Sequence, residues 1–573
     1  MDSGGSCAVT GEAPVQVDLL VFGSGAGGLA AAVFAAQRGL QVLLCEKSGQ
    51  LGGTTATSGG VVWIPCSPQA RQAGIADSAD AVRTYLQGEA GSLYREDLVS
   101  AFLAHGVPAL QALEQAGVPF DLIDMPDYHS AQPGAVPRGR SLQARAYDGR
   151  ELGADFAKVR APISNLLVLG GMMLGPDDVA KFVRPLASFA AFSRVVSRVL
   201  RHAGDRLRGY SRGTAISNGN ALIARMFAYL RTTPAQVWLS SPLVSLVEEG
   251  GRVVGAHVDT PEGPRRVDAR LGVVLATGGF PHSQPLRAEL AMRFPHVHSM
   301  AFGGNTGDGI GAARAVGAQV DTALHSPGLW TPASERVNCR RRETFIYGYL
   351  DRGRPGVIAV DDTGRRFVNE SNSYHDIVLA LFERQRAGQK RFYFVCDADF
   401  IRKRGLGAVR PWPWNLVQML QMLRDGYLLR ADTLAELAAR AGLDSVGLED
   451  EVRRHNAFCA TGVDADFGKG DTAYNHSWGD ATVKPNPNLA PIARGPFYAL
   501  PIVPATLGTA IGLQTDANAR VVDVAGAAIP GLYACGNELA SMMRGAYPGG
   551  GITLGPAIAF AHVAVSHAEA QQT

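Results

Sequence analysis

Gly23-Ser24-Gly25-Ala26-Gly27-Gly28 satisfies a GxGxxG pattern. That spacing suits a pyrophosphate: the first glycine turns the chain, the second lets backbone approach the phosphates, and the third lets a helix pack close on a strand. The phosphates then face unpaired N–H groups at a helix start, where the dipole favours negative charge. Glu46 stands where such units place an acid for a ribose hydroxyl. Directly after it comes a second loop of small residues, Gly52-Gly53-Thr54-Thr55-Ala56-Thr57-Ser58-Gly59-Gly60. It suits a cofactor larger than NAD, because a flavin needs backbone and hydroxyl contacts along its ribityl chain and ring. Near the other end, Gly536-Asn537-Glu538 precedes the glycine-rich run 549–555, which leads into a helix. A helix start there stabilises negative charge on the pyrimidine edge of a reduced flavin.

The elements around these loops read as one βαβ unit. Residues 17–22 (VDLLVF) form a short apolar run, as in a strand buried on both faces of a parallel sheet. An alanine-rich helix is expected over 29–38, closed by Gly39, then a strand over 40–46. Further strands are expected over 244–248, 253–258 and 273–276, with Glu249-Gly250-Gly251 turning between the first two. A last buried strand over 531–536 and a helix over 556–567 complete the pattern. Nucleotide-binding signals thus sit at both ends, so the mixed segment 299–489 reads as an inserted second domain between 15–298 and 490–573.

Composition narrows the class. The chain has 573 residues, 46% hydrophobic and 18% charged, which fits a packed globular protein and excludes a disordered one. Its 54 basic and 52 acidic residues leave a net charge of +2, without the basic surplus of a nucleic-acid binder. The 68 glycines are about 12% of the chain against a usual ~7%, as expected where backbone must approach a ligand. Seven cysteines (7, 45, 66, 339, 396, 459 and 535) include no CxxC pair, so neither a zinc site nor a disulfide framework is indicated. The first residues carry no basic and apolar leader pattern. The uncharged run 161–176 is shorter than the roughly 20 apolar residues of a membrane span, and 546–565 reads as a buried loop plus helix. A cytoplasmic protein of a reducing compartment is expected. One segment stands apart: 181–212 carries Lys181, Arg184, Arg194, Arg198, Arg201, Arg206, Arg208 and Arg212 against one acid, Asp205. Such a segment either lies peripherally on an anionic membrane surface or presents a solvated face while packed on its own domain.

Taken together, GSGAGG, Glu46-Lys47, LGGTTATSGGVVWIP, TGGF near 280 and GLYACGN near 536 resemble the FAD flavoproteins of the succinate dehydrogenase/fumarate reductase superfamily. Within it, YPGGGITLGP (547–556), NESNSY (369–374), NTGDG (305–309) and Pro126-Asp127-Tyr128 resemble the 3-ketosteroid Δ1-dehydrogenase family. The likeness covers nearly the whole chain except the basic segment near 176–212, which looks like an insertion. It implies an α/β protein: a Rossmann-like FAD-binding domain interrupted by an α+β catalytic domain, with the site at their junction. The cofactor contacts it implies are Gly23, Ser24, Gly25, Gly28, Glu46, Lys47, Gly53, Thr54, Thr55, Ser58, Gly59, Gly60, Val244, Thr277, Gly278, Gly279, Asn305, Asp308, Gly536, Asn537, Gly551 and Leu554. No His precedes Thr54 where covalent-flavin members carry one, so non-covalent FAD is expected.

The resemblance also implies the reaction, removal of the C1 and C2 hydrogens of a 3-ketosteroid, with a quinone or another acceptor taking the electrons onward. Tyr547 and the Gly551 N–H would hold the C3 oxygen, Tyr374 would take the C2 proton assisted by Tyr128, and the flavin would accept hydride from C1. The chemistry agrees: a proton beside a ketone becomes acidic only when charge developing on the oxygen is stabilised, as two preorganised donors would do. His129, adjacent to Tyr128, is an alternative for its role. Tyr474 and Trp478 read as pocket walls, and Arg365 and Arg366 as structural. Met542-Met543-Arg544 is bulkier than the pattern and would reshape substrate access. Three rivals remain: a Δ4-dehydrogenase, a fumarate-reductase-like carboxylate reductase, which needs basic clamps where this chain has Tyr547, and a flavin carrier without turnover.

Overall fold

The structure is a computed structural model that describes residues 13–163, 167–175, 178, 181–182, 185, 187–290, 297–337, 342–347, 351–412 and 416–572. Cys7, Arg184, Cys339, the leader reading of the first residues and parts of the 161–176 run lie outside them.

The strand Val15–Phe22 is parallel to Val42–Cys45 on one side and to Gly263–Leu275 on the other. Gln236–Trp238 extends this sheet beyond Val42–Cys45, and Ala528–Ala534 pairs in parallel with Gly263–Leu275. Register aligns the strand ends: Phe22 lies opposite Cys45 and Leu275, and Leu275 lies opposite Ala534. Chain segments thus leave the sheet side by side at Gly23, Glu46, Ala276 and Cys535. A crevice outside the carboxyl ends of parallel strands is where α/β sheets bind ligands. Leu19 to Phe22 and Val42 to Cys45 are at most 2% exposed, which is why they read as unbroken apolar runs. The antiparallel strands Leu243–Glu249 and Arg252–Thr260 continue the sheet, joined by Gly250 and Gly251 at φ of +59° and +75°.

The expected elements are all present, several longer than read: the first helix spans Ala26–Gln37 and the last Leu554–Ala570. The domain boundary shifts. Val503–Thr509 pairs with His298–Ser299 and Gly328–Val337, and Phe497–Pro501 with Phe392–Cys396 and Leu429–Ala431. Both strands therefore pair with strands of the inserted segment, past position 490, as does Gly512–Leu513 with Val320–Asp321. Alternating strand composition does not say which sheet a strand joins.

The basic segment contains a capped helix, Phe189–Leu207, with Ser188 accepting from the Ala191 N–H. Three of its arginines reach acids of its own domain: Arg194 and Arg198 bind Asp178, and Arg201 binds Asp148, whereas Arg206 is exposed. Phe189, Phe192, Leu200 and Leu207 face outward. These ion pairs tie the helix to its own domain. No helix among the described residues is long and apolar enough to cross a membrane.

Candidate active site

The glycine loop is built to touch backbone. A Cβ on Gly28 would sit 1.8 Å from the Gly23 oxygen, and one on Gly23, at φ +96°, 2.3 Å from the Ala276 oxygen. Gly25 caps the first helix with no side chain, and no acid occupies its first turn, so the helix start is open to an anion. Thr55 Oγ1 accepts from the Ala26 N–H at 3.0 Å, tying in the second small-residue loop. Glu46, 4% exposed, accepts from the Ser24 N–H and hydroxyl at 3.1 and 2.5 Å, and from the Ser48 N–H at 2.9 Å.

Several of the other expected cofactor contacts are tied to these loops by hydrogen bonds. Thr54 Oγ1 accepts from the Phe302 N–H and from Asn305 Nδ2, and Asn305 also donates to the Gly278 carbonyl. Ser58 Oγ donates to the Thr55 carbonyl and accepts from the Gly60 N–H; Gly59 offers its carbonyl to Gln143. Gly53 has open space where a Cβ would be. Lys47 and Asp308 bind each other at 2.5 Å, Val244 is 59% exposed on the outer hairpin, and Leu554 opens the last helix. Glu538 was not among the expected contacts, yet it is fully buried and accepts from Thr277 Oγ1 and the Gly279 N–H, fastening the 277–279 turn to the Gly536-Asn537 loop.

At the inner end, three phenols meet. The Tyr128 hydroxyl donates to the Tyr374 oxygen at 3.1 Å. The Tyr547 ring stacks on Tyr128 at 5.7 Å and 5° and meets Tyr374 edge-on at 4.9 Å. Tyr474 completes the cluster, 4.6 Å from Tyr128, and burial pushes its hydroxyl up to about 12. Each of the three is at least 92% buried, so these contacts exclude water. Tyr374 is the first residue of the helix Tyr374–Arg386, capped by Ser373. The loop before that helix is anchored by a buried ionic network: Arg366 pairs with Glu370 and Asp464, and Lys469 with Glu370, all at 2.9 Å. The cationic partners outweigh burial and hold Glu370 down at about 2. Arg366 is structural, as expected from its context.

Tyr547 sits in a glycine-proline loop that grips the Tyr128 segment. The Pro548 carbonyl accepts from the Tyr128 N–H at 2.8 Å and from the Tyr85 hydroxyl at 2.7 Å. Gly551, at φ +98°, approaches the strand Val61–Trp63 so closely that a Cβ would lie 2.7 Å from the Trp63 nitrogen. Its N–H donates to no acceptor among the described residues. Beneath, Asp127 accepts from Trp63 Nε1 and pairs with Arg140, and burial pushes its carboxyl up to about 6.

His129 faces away from the phenols. It joins Glu89 at 2.6 Å and Asp376 at 3.0 Å, stapling the Tyr128 segment to the Tyr374 helix. Burial opposes its charge, but hydrogen bonds to Asp376 and Glu89 prevail and raise it to about 10. A group raised on folding stabilises fully below its unfolded value, ~6.5, and that stabilisation is lost as pH rises through 10. Thermal melts of wild type and His129→Asn should therefore differ by about 3 kcal/mol near pH 6 and converge toward pH 10; a gap that does not depend on pH would contradict this. Burial holds the neighbouring His375 neutral, down at about 4.

Comparison with known proteins shows the family. The FAD binding domain family matches residues 18–554. The chain is 34% identical over 569 residues to the 3-oxosteroid 1-dehydrogenase of Mycobacterium tuberculosis, covering 96% of this chain and 98% of that protein.

This chain belongs to the 3-ketosteroid Δ1-dehydrogenase family.

It is an FAD-dependent oxidoreductase. The crystal structure of the family member from Sterolibacterium denitrificans, in complex with 1,4-androstadiene-3,17-dione, superposes with a TM-score of 0.87 at 33% identity, covering 97% of this chain and all of that one. The chain is also 38% identical over 558 residues to the 4-oxocyclohex-2-ene-1-carboxylate 5-dehydrogenase of Sinomonas cyclohexanicum, covering 96% of this chain and 93% of that protein. The crevice fits FAD: Gly23 and Gly28 leave no room for side chains, and the first helix start offers N–H groups. Gly28→Ala is accordingly expected to purify with less than a tenth of the flavin of wild type, measured by visible absorbance; normal flavin content would contradict the reading of that close approach.

Proposed function

We propose that this family member introduces a 1,2-double bond into a 3-oxosteroid, with Tyr374 as proton acceptor. The observation that carries this reading is the hydrogen bond from Tyr128 to the Tyr374 oxygen beside the Tyr547 ring. A phenol that accepts a hydrogen bond is better able to bear negative charge, so Tyr128 prepares Tyr374 to take the C2 proton. The Tyr547 hydroxyl and the Gly551 N–H are assigned to the C3 oxygen, where two fixed donors stabilise an enolate. Bound FAD supplies the two-electron acceptor for the C1 hydride. Gly23, Gly25, Gly28 and the first helix start would hold its pyrophosphate, Glu46 its ribose, and Thr54, Ser58, Gly536, Asn537 and Leu554 the flavin end.

A second reading is favoured by the relative of 38% identity, whose substrate is a cyclohexene ketone bearing a carboxylate. The same phenols perform the same step on a single ring. Anaerobic mixing of the holoprotein with a 3-oxosteroid, and separately with 4-oxocyclohex-2-ene-1-carboxylate, separates the two. Bleaching of the flavin with a 1,2-dehydro steroid supports the proposal. A 4,5-dehydro product, or bleaching by the monocyclic acid alone, overturns it.

A further inference from the structure

Arg352 lies behind the phenol cluster and is 1% exposed. Its guanidinium donates to the Glu370 carbonyl at 3.1 Å, to the Asn372 carbonyl, and to the Tyr474 hydroxyl at 3.4 Å. Its central carbon stands 5.7 Å from the Tyr374 ring centroid and 5.6 Å from that of Trp478. Among the described residues its Nε–H has no partner, and no carboxylate forms an ion pair with it. The adjacent Asp351 gives its oxygens to the N–H groups of Arg352 and Gly407. Three other buried arginines are neutralised directly: Arg140 by Asp77 and Asp127, Arg366 by Glu370 and Asp464, Arg544 by Asp321; Arg212, bound to Asn220 and the Val159 carbonyl and away from the phenols, shares with Arg352 the lack of a carboxylate partner among the described residues. Leaving a buried guanidinium without a carboxylate is costly. An anion that forms beside it during turnover recovers that cost.

We propose that Arg352 is a positioning residue that stabilises Tyr374 as a phenolate. The inference rests on the assignment of Tyr374 as proton acceptor. The other titratable groups near Tyr374 supply no net positive charge: Asp376 and Glu89 share one cationic partner, His129, and His375 is neutral. Asp351 is raised by burial and spent on backbone N–H groups. Among the described residues, Arg352 is thus the cation in contact with the ring and without an ion-pair partner. Its near-complete burial also argues against a role in gripping a substrate carboxylate, which would require it to line the pocket.

Removing the cation makes the phenol harder to ionise, so the acid limb of the kcat/KM profile must move to higher pH. An opposite charge within ~4–6 Å shifts an ionisation by about 1–3 pH units. Arg352→Met holoprotein, with unchanged melting temperature and flavin content as controls, is expected to move the limb up by at least one unit and to lower kcat about 10²-fold at neutral pH with little change in KM. Arg352→Lys keeps the charge and should restore most of the limb, and Arg352→Gln, which removes the charge and keeps hydrogen-bond donors, serves if the Met variant does not fold. Near-ultraviolet absorbance titration should show one tyrosinate that ionises earliest in wild type, later in Arg352→Met, and is missing in Tyr374→Phe. A limb that stays in place when the charge is removed overturns the inference, as does a KM increase confined to carboxylate-bearing ketones. Full activity of Tyr374→Phe would instead overturn the assignment beneath it.

Discussion

Tyr374→Phe is expected to lower kcat for 3-oxosteroid dehydrogenation by about 10³–10⁴-fold while leaving flavin content and melting temperature near those of wild type. The substitution removes one oxygen and keeps the ring. That ring carries the packing: it meets Tyr547 edge-on at 4.9 Å and Tyr128 edge-on at 5.5 Å. The helix start does not depend on the hydroxyl either, since Ser373 caps it through the Asp376 N–H. What is lost is the group that takes the C2 proton. No other side chain in contact with the cluster is suited to replace it. His375 is neutral but gives Nδ1 to the Trp330 N–H, and His129 is charged and occupied by two carboxylates. Tyr128 remains, yet without Tyr374 it has lost the partner that shares its hydrogen bond. Stopped-flow reduction of the flavin under anaerobic conditions isolates this step. A loss below tenfold would remove Tyr374 from the chemistry and return attention to Tyr128 or His129.

The parts of this molecule that were legible in the sequence are those set by local rules. The strand ending at Phe22, the turn at Gly23 and the helix starting at Ala26 follow each other directly, and their apolar runs and glycines identify them without knowledge of the rest. The phenol cluster is different in kind. Tyr128, Tyr374 and Tyr547 became candidates through resemblance, because nothing in the spacing of distant residues requires that they meet. The ionic supports were not legible at all. His129 with Glu89 and Asp376, Asp127 with Arg140, and Arg352 behind Tyr374 join segments whose charges look like ordinary surface charge until the chain is folded. The boundary at 490 failed for a related reason, since strand pairing is a tertiary choice. The helix Phe189–Leu207 shows the same limit: its amphipathic pattern was plain, but the pattern does not state which face turns to the protein, and here the acids at 148 and 178 draw three of its arginines inward.

Tyr547→Phe tests the other half of the chemistry and is expected to lower kcat by about 10²–10³-fold, the usual cost of removing one donor from an oxyanion site. The ring remains stacked on Tyr128 at 5° and in contact with His375, so the loop that presents Gly551 should hold its shape. Gly551→Ala would be a poor substitute for this experiment: its Cβ would strike the Val61–Trp63 strand at a backbone angle that favours glycine, and any lost activity would report a displaced loop. In Tyr547→Phe the Gly551 N–H is left as the assigned partner of the ketone oxygen, which explains why the loss should fall short of that in Tyr374→Phe. The pair also makes a sharper prediction together. Stabilising the enolate oxygen and removing the α-proton serve one transition state, so their contributions are not independent. The double variant is expected to be little slower than Tyr374→Phe alone, because once the proton acceptor is missing the stabilised enolate is no longer reached by that route. Losses that multiply would mean that Tyr547 binds the ketone equally in the ground state, and its effect would then appear in KM.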